Sequence, residues 1–270
     1  MPGTRLDHRA ATFRGRAIDT RAKKLILAPE ARGSRPGLRG ADGRGATDGR
    51  RKVGIVYSAE ENGVLDSIIE NRRSVRAFLQ DPLPDRDMIE AVAKAGLWAP
   101  YAAAMTQAGP VFRKFVIVQH HSPVIAEMHA LIREQTKATI ETMKRNSADK
   151  PLPDHAKVYV ERMGKAVENG FPGFEEAPAL IIAAERRANM QVERKSLAHV
   201  VQNMWLKATA LGLGLQLLSV IEMLSERAEF SELLGMSHGE FTYAGCIIGY
   251  PAQAPAPGQR PQIGDVTRWI

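Results

Sequence analysis

A helix running over residues 196–211 would be apolar on nearly every side. Leu197, Val201, Met204, Ala208 and Leu211 recur at alternating spacings of four and three, and Ala198, Val200, Trp205, Leu206 and Ala210 fill the faces between them. Such a helix sits at the centre of a core or is shared with a second chain. Ser196 is placed to cap its N-terminus. Amphipathic helices are also predicted over residues 85–97, stopped by Pro100, and over 123–145, where Val124, Ile125, Met128, Leu131 and Ile132 form one stripe. Residues 146–154 hold two prolines, two aspartates and a serine and read as a loop. A short helix over 159–168 then precedes the turn Gly170-Phe171-Pro172-Gly173. Apolar runs at 115–118, 177–182 and 243–248 read as strands. The order of helices and strands lacks strict alternation, which excludes a doubly wound sheet and predicts an α+β fold.

Composition matters most through where the charge lies. The chain has 270 residues and a formal charge of +7, but residues 1–52 hold 14 of its 37 basic residues and only 5 of its 30 acidic ones. The remaining body is slightly acidic, with 23 basic and 25 acidic residues. A folded domain that bound nucleic acid should carry a basic face, so no nucleic acid is expected on the body. Two parts are therefore expected: an Arg/Gly-rich tail over 1–52, too poor in apolar residues to fold alone, and a single domain over 53–270. The tail is expected to be disordered and reads as a tether to nucleic acid or a membrane surface, an organelle transit segment, or translated sequence upstream of the true start. No run of 18 apolar residues occurs, so no membrane span is expected and a cytoplasmic location is. Cys246 lies in the strand run Tyr243-Ala244-Gly245-Cys246-Ile247-Ile248 and reads as a small core hydrophobe.

The densest chemistry lies at Arg72-Arg73-Ser74-Val75-Arg76, just after the helical repeat Val64, Leu65, Ile68, Ile69. Three guanidinium groups and a hydroxyl supply many donors and almost no acceptors, which suits a dianionic phosphate. A solvated basic helix end, favoured by the helix dipole, is the alternative. Gly212-Leu213-Gly214 follows a helix and not a strand, so it fails the dinucleotide fingerprint and reads as a helix stop with close packing. His-Glu-x-x-His and Cys-x-x-Cys motifs do not occur, and adjacent His120-His121 cannot both face one helix-borne metal, so no metal site is expected.

Together with Ala99-Pro100, the strand at 115–118, Ala177-Pro178 before the second strand, Gln202-Asn203-Met204 with Leu211-Gly212-Leu213-Gly214, and Ile248-Gly249-Tyr250-Pro251 with Arg260, the arginine motif resembles the FMN-dependent nitroreductase family over about residues 64–270. That resemblance implies a mainly antiparallel sheet packed between helices in an intertwined homodimer. It implies that Arg72, Arg73, Ser74 and Arg76 hold the FMN phosphate, with Arg260 closing from the C-terminal segment. Leu218, Ser219 and Val220, beside Leu217, would flank the flavin edge, and Pro100, Tyr101, Ala102 and Ala104 would approach it from the opposite subunit. It implies electron transfer from NADH or NADPH to a small acceptor, a nitroaromatic, quinone or activated alkene, by a ping-pong mechanism. The sequence departs from the family at Tyr101-Ala102-Ala103-Ala104, where a small hydroxyl residue and an asparagine are usual; a flavin-binding or sensing protein with little turnover is the alternative this run favours. The lid spacing of the iodotyrosine deiodinases is not visible around residues 134–165.

Overall fold

The computed structural model describes residues 55–101, 111–147, 151–174 and 176–270. The chain divides into two units, Met1–Gly54 and Ile55–Ile270. The first, with the basic tail, lies outside the described residues, and the architecture is that of the second. Its helices are α1 (Ala59–Asn71), α2 (Arg86–Leu97), α3 (Pro123–Asn146), α4 (Asp154–Asn169), α5 (Val192–Ala210), α6 (Val220–Met223), α7 (Ala228–Leu233) and α8 (Ile263–Val266). Its strands are β1 (Arg113–Gln119), β2 (Ala179–Arg186), β3 (Gly214–Leu218) and β4 (Phe241–Gly249). They pair antiparallel throughout in the order β1-β2-β4-β3.

The period-two geometry of β2 explains why its apolar run is unbroken. Leu180, Ile182 and Ala184 point into one core beside Ile125, Met128 and Ile132 of α3 and Phe230 of α7. Ala179, Ile181 and Ala183 point into the other, against Ile89 and Val92 of α2 and Leu197, Val200 and Met204 of α5. β4 divides the same way, with Phe241, Tyr243 and Ile247 on the first side and Cys246 and Ile248 on the second. The fold is therefore the expected α+β sandwich, a mainly antiparallel sheet between helical layers.

Local chemistry sets the helix ends. Ser58 and Glu61 form a reciprocal capping box on α1, Asp85 accepts from Met88 N at 2.8 Å to start α2, and Ser122 with Pro123 starts α3. Two boundaries differ from the sequence reading. α4 spans Asp154–Asn169, starting five residues before the helix expected at 159–168 and taking in Asp154, read as loop, and its first turn carries a Lys157–Asp154 pair. α5 starts at Val192, with Gln191 in the left-handed region as its cap, so Ser196 lies inside the helix and is buried. The reason is Glu193 in the first turn. Its carboxylate accepts from Ala188 N and from Thr242 Oγ1 on β4 and so anchors an entry that no local cap marks.

α5 is covered on one side only. Leu197, Val200, Met204 and Ala208 are buried, while Ala198 and Ala210 are exposed and Trp205 and Leu206 are half-buried. Gly96 permits the close crossing with α2: a Cβ there would lie 2.8 Å from Met204 Cγ. α1 buries none of its residues, leaving Val64, Leu65 and Ile69 exposed.

Candidate anion-binding site

The arginine cluster begins where α1 ends. Arg72 N closes the helix on Ile68 O, and the chain then runs extended along the sheet edge. Ser74 bridges Leu215 of β3 in parallel, Val75 N donates to Leu215 O at 3.2 Å, and Phe78 bridges Pro251 beyond β4. Gly214 makes this approach possible, since a Cβ there would lie 2.6 Å from the Val75 side chain. Val75 is buried while Ser74 and Arg76 are exposed, as alternation in an extended segment requires. The second expected role of Gly212-Leu213-Gly214 is also met: Gly212 adopts φ +73°, and Leu213 N returns to Ala208 O at 2.8 Å.

A cleft of about 530 Å³ opens over this segment, with Arg73, Ser74 and Arg76 on one wall and Gln253, Pro255 and Ala256 on the other. Among the described residues, no carboxylate forms an ion pair with Arg72, Arg73, Arg76 or Arg260. Burial, and then the nearby charges of Arg260 and Arg73, push the Arg72 guanidinium below its ordinary value. Arg260 thus joins the cluster from the C-terminal segment, 188 positions away in sequence from Arg72. Like charges gathered without a counter-ion are a standing electrostatic cost that a bound anion would offset.

Arg72 and Arg73 differ in what their donors do. Arg73 Nε donates to Ala256 O at 3.1 Å, and Nη1 donates to Glu70 O at 2.6 Å and Arg72 O at 2.7 Å. It ties the C-terminal segment to the end of α1. A Cβ on Gly258 would lie 2.3 Å from Arg73 Nη2, so the segment runs directly over the guanidinium. Among the described residues Arg72 makes no such bond: its guanidinium lies over the Trp205 ring, 4.5 Å from the centroid, and the Trp205 indole N–H donates to Arg73 O at 3.0 Å.

The remaining sequence-identified residues lie elsewhere. Leu218 points into the core, Leu217 and Ser219 are exposed, and Val220 is half-buried at the start of α6. Pro100 and Tyr101 follow α2, where Tyr101 stacks on Phe112 with centroids 3.8 Å apart and Pro100 O accepts from Arg113. Neither makes a hydrogen bond or ring contact with the Arg72–Arg76 segment, while Ala102 and Ala104 lie outside the described residues. Sequence reasoning missed Arg113 altogether. It is fully buried, pairs with Glu185 at 2.7 Å, and donates to the Gly96 and Ala99 carbonyls at the end of α2. It also missed the role of Trp205, read only as an apolar face, although an indole N–H in a partly buried helix needs an acceptor.

Cys246 behaves as expected: it is fully buried and its thiol is pushed up to about 12 by desolvation. Among the described residues no group of three or more His, Cys, Asp or Glu could hold a metal, and no helix is long and apolar enough to cross a membrane.

The nitroreductase family model matches residues 69–250, from the end of α1 to the close of β4. This chain belongs to the nitroreductase family. Its match contains the arginine segment and the whole sheet, but not Arg260. Among solved structures, a nitroreductase with bound FMN from Bacteroides fragilis is 19% identical, with 76% of this chain and 98% of that one covered at a TM-score of 0.56. A BluB-like flavoprotein from Clostridium difficile is 20% identical with the same coverage and score. An iodotyrosine deiodinase bound to FMN and 3-iodo-L-tyrosine is 18% identical, with 76% and 98% covered and a TM-score of 0.55. At these identities the three share the fold. No curated protein matches the chain.

Proposed function

We propose that this nitroreductase-family chain is an FMN-dependent oxidoreductase of the cytoplasm, working as a homodimer. The observation that carries this reading is the gathering of Arg72, Arg73 and Arg260 with no acidic partner among the described residues, beside a cleft of about 530 Å³ that Arg73, Ser74 and Arg76 line. The donor set fits a phosphate monoester: planar guanidinium forks and the exposed hydroxyl of Ser74. Solved relatives of the same fold contain FMN, which supports this choice of ligand. When bound, FMN supplies the electron transfer, from NADH or NADPH to a nitroaromatic, a quinone or an activated alkene in alternating half-reactions.

The residues of the chain bind and orient. Arg72, Ser74, Arg76 and Arg260 hold the phosphate, and Arg73, alongside them, also fixes the C-terminal segment that carries Arg260. Ser219 and Val220, where β3 gives way to α6, offer main-chain N–H groups to the flavin edge. Pro100, Tyr101, Ala102 and Ala104 belong to the wall supplied by the partner subunit, which accords with the separate position of Pro100 and Tyr101 within one chain. The absorbance spectrum of the purified protein tests the reading. Bands of oxidised flavin, bleached by NADH or NADPH without oxygen and restored by a quinone, are expected. A colourless protein that takes up no FMN refutes it, and a bound flavin that neither nicotinamide reduces shifts the reading to a flavin carrier or sensor.

A further inference from the structure

Trp205 makes two contacts with the arginine segment, one to its main chain and one to a side chain. The indole N–H fixes the Arg73 carbonyl at 3.0 Å, and the ring face lies 4.5 Å from the Arg72 guanidinium. Stacking uses the flat face of a guanidinium, whereas its N–H donors lie in the plane and project outward. Arg72 is therefore held in place with its fork free, while Nε and Nη1 of neighbouring Arg73 are occupied by three main-chain carbonyls.

We propose that Trp205 is the positioning residue of the anion site, orienting Arg72 for two-point recognition of a phosphate monoester. The inference rests on the FMN reading and adds the element that would separate FMN from riboflavin, which has the same ring system but no phosphate. Without the ring, Arg72 would be repelled by Arg73 and Arg260 and would sample the many rotamers open to a free arginine. The ring face attracts the cation and so opposes that repulsion. The platform is firm because Met204 and Ala208, on either side of Trp205 along α5, are fully buried against the sheet and α2. The signal in this sequence is a tryptophan one helical turn before Thr209, whose hydroxyl donates back to Trp205 O at 2.9 Å.

The test is titration of FMN and of riboflavin into the full-length chain stripped of flavin, for the parent, Trp205→Leu and Trp205→Phe. Trp205→Leu should weaken FMN about five- to thirtyfold, the range of a partly desolvated cation–π contact, with riboflavin affinity unchanged. Trp205→Phe keeps a ring face but loses the N–H, so its FMN-to-riboflavin ratio should fall between the other two. A merely structural role would weaken both ligands alike. Equal losses for the two flavins, or parent-like ratios in both variants, would overturn the proposal. If thermal melting shows Trp205→Leu to be unfolded, Trp205→Phe decides alone. A parent that binds FMN no better than riboflavin removes the clamp and this inference with it, whereas failure of the FMN reading shows separately as absence of any flavin uptake.

Discussion

Replacing Arg113 by Met should cost the folded chain about 3–5 kcal/mol, the range for leaving one member of a buried ion pair alone. Both side chains are wholly inaccessible to solvent, and the guanidinium makes two bonds to Glu185 Oε2, at 2.9 Å and 2.7 Å. Its Nη1 donates to Gly96 O and Ala99 O, both at 3.0 Å, placing a cation at the negative end of α2. Met fills a similar volume, so the loss is electrostatic and not a cavity. The pH dependence has a definite sign. Burial pushes the Glu185 carboxyl up, with the Arg113 bond and charge acting against it. Removing Arg113 deletes the largest opposing cause, so the variant's folded value rises further above the unfolded one, about 4.3. A folded state that binds the proton more tightly is favoured at acid pH and loses that advantage as pH rises through the folded value. The gap between parent and variant should therefore be smallest near pH 4 and widen toward pH 8. Urea unfolding across that range, followed by circular dichroism, measures it. Adding Glu185→Leu should recover much of the loss, because a buried apolar pair replaces a buried lone charge. A single variant within about 1 kcal/mol of the parent at pH 8 would refute this account of the α2 end.

Changing Arg72 or Arg76 to Ala should weaken FMN binding by roughly 1.5–3 kcal/mol with the fold intact, as for hydrogen bonds to a charged group; unchanged affinity would remove both from the site. Deleting residues 1–52 should leave folding, flavin content and reductase turnover nearly unchanged, because the segment lacks apolar residues to pack; loss of flavin on truncation would contradict this. The chain should sediment as a homodimer at micromolar concentration with an interface above about 2,000 Å². Ala198→Asp, on the exposed side of α5, should cost both assembly and flavin, and a flavin-loaded active monomer would contradict it. Met204 and Ala208 are buried in the chain's own core, so a charge at either would test folding instead.

The periodic features of the chain were legible because they are local. α2 starts at its Asp85 cap and α3 at its Ser122–Pro123 pair, and the alternating cores of β2 follow from a run that is apolar on both faces. What failed was set by residues far away in sequence. The start of α5 depends on Glu193 meeting Thr242, and the buried Arg113 depends on Glu185 lying opposite it in the β1–β2 register. The arginine motif shows both cases within five residues. Its clustering pointed to the anion site proposed above, yet the sequence could not say which guanidinium was free, because that turns on Ala256 and Trp205, each more than 130 positions on. Part of the answer was nonetheless available locally. In an extended segment side chains alternate, so Ser74 and Arg76 turn outward on either side of Val75. Val75 is an apolar residue that must turn inward, which it does against Gly214. Arg73, although it also lines the cleft, bonds the surrounding main chain, leaving the outward Ser74 and Arg76 to meet a ligand.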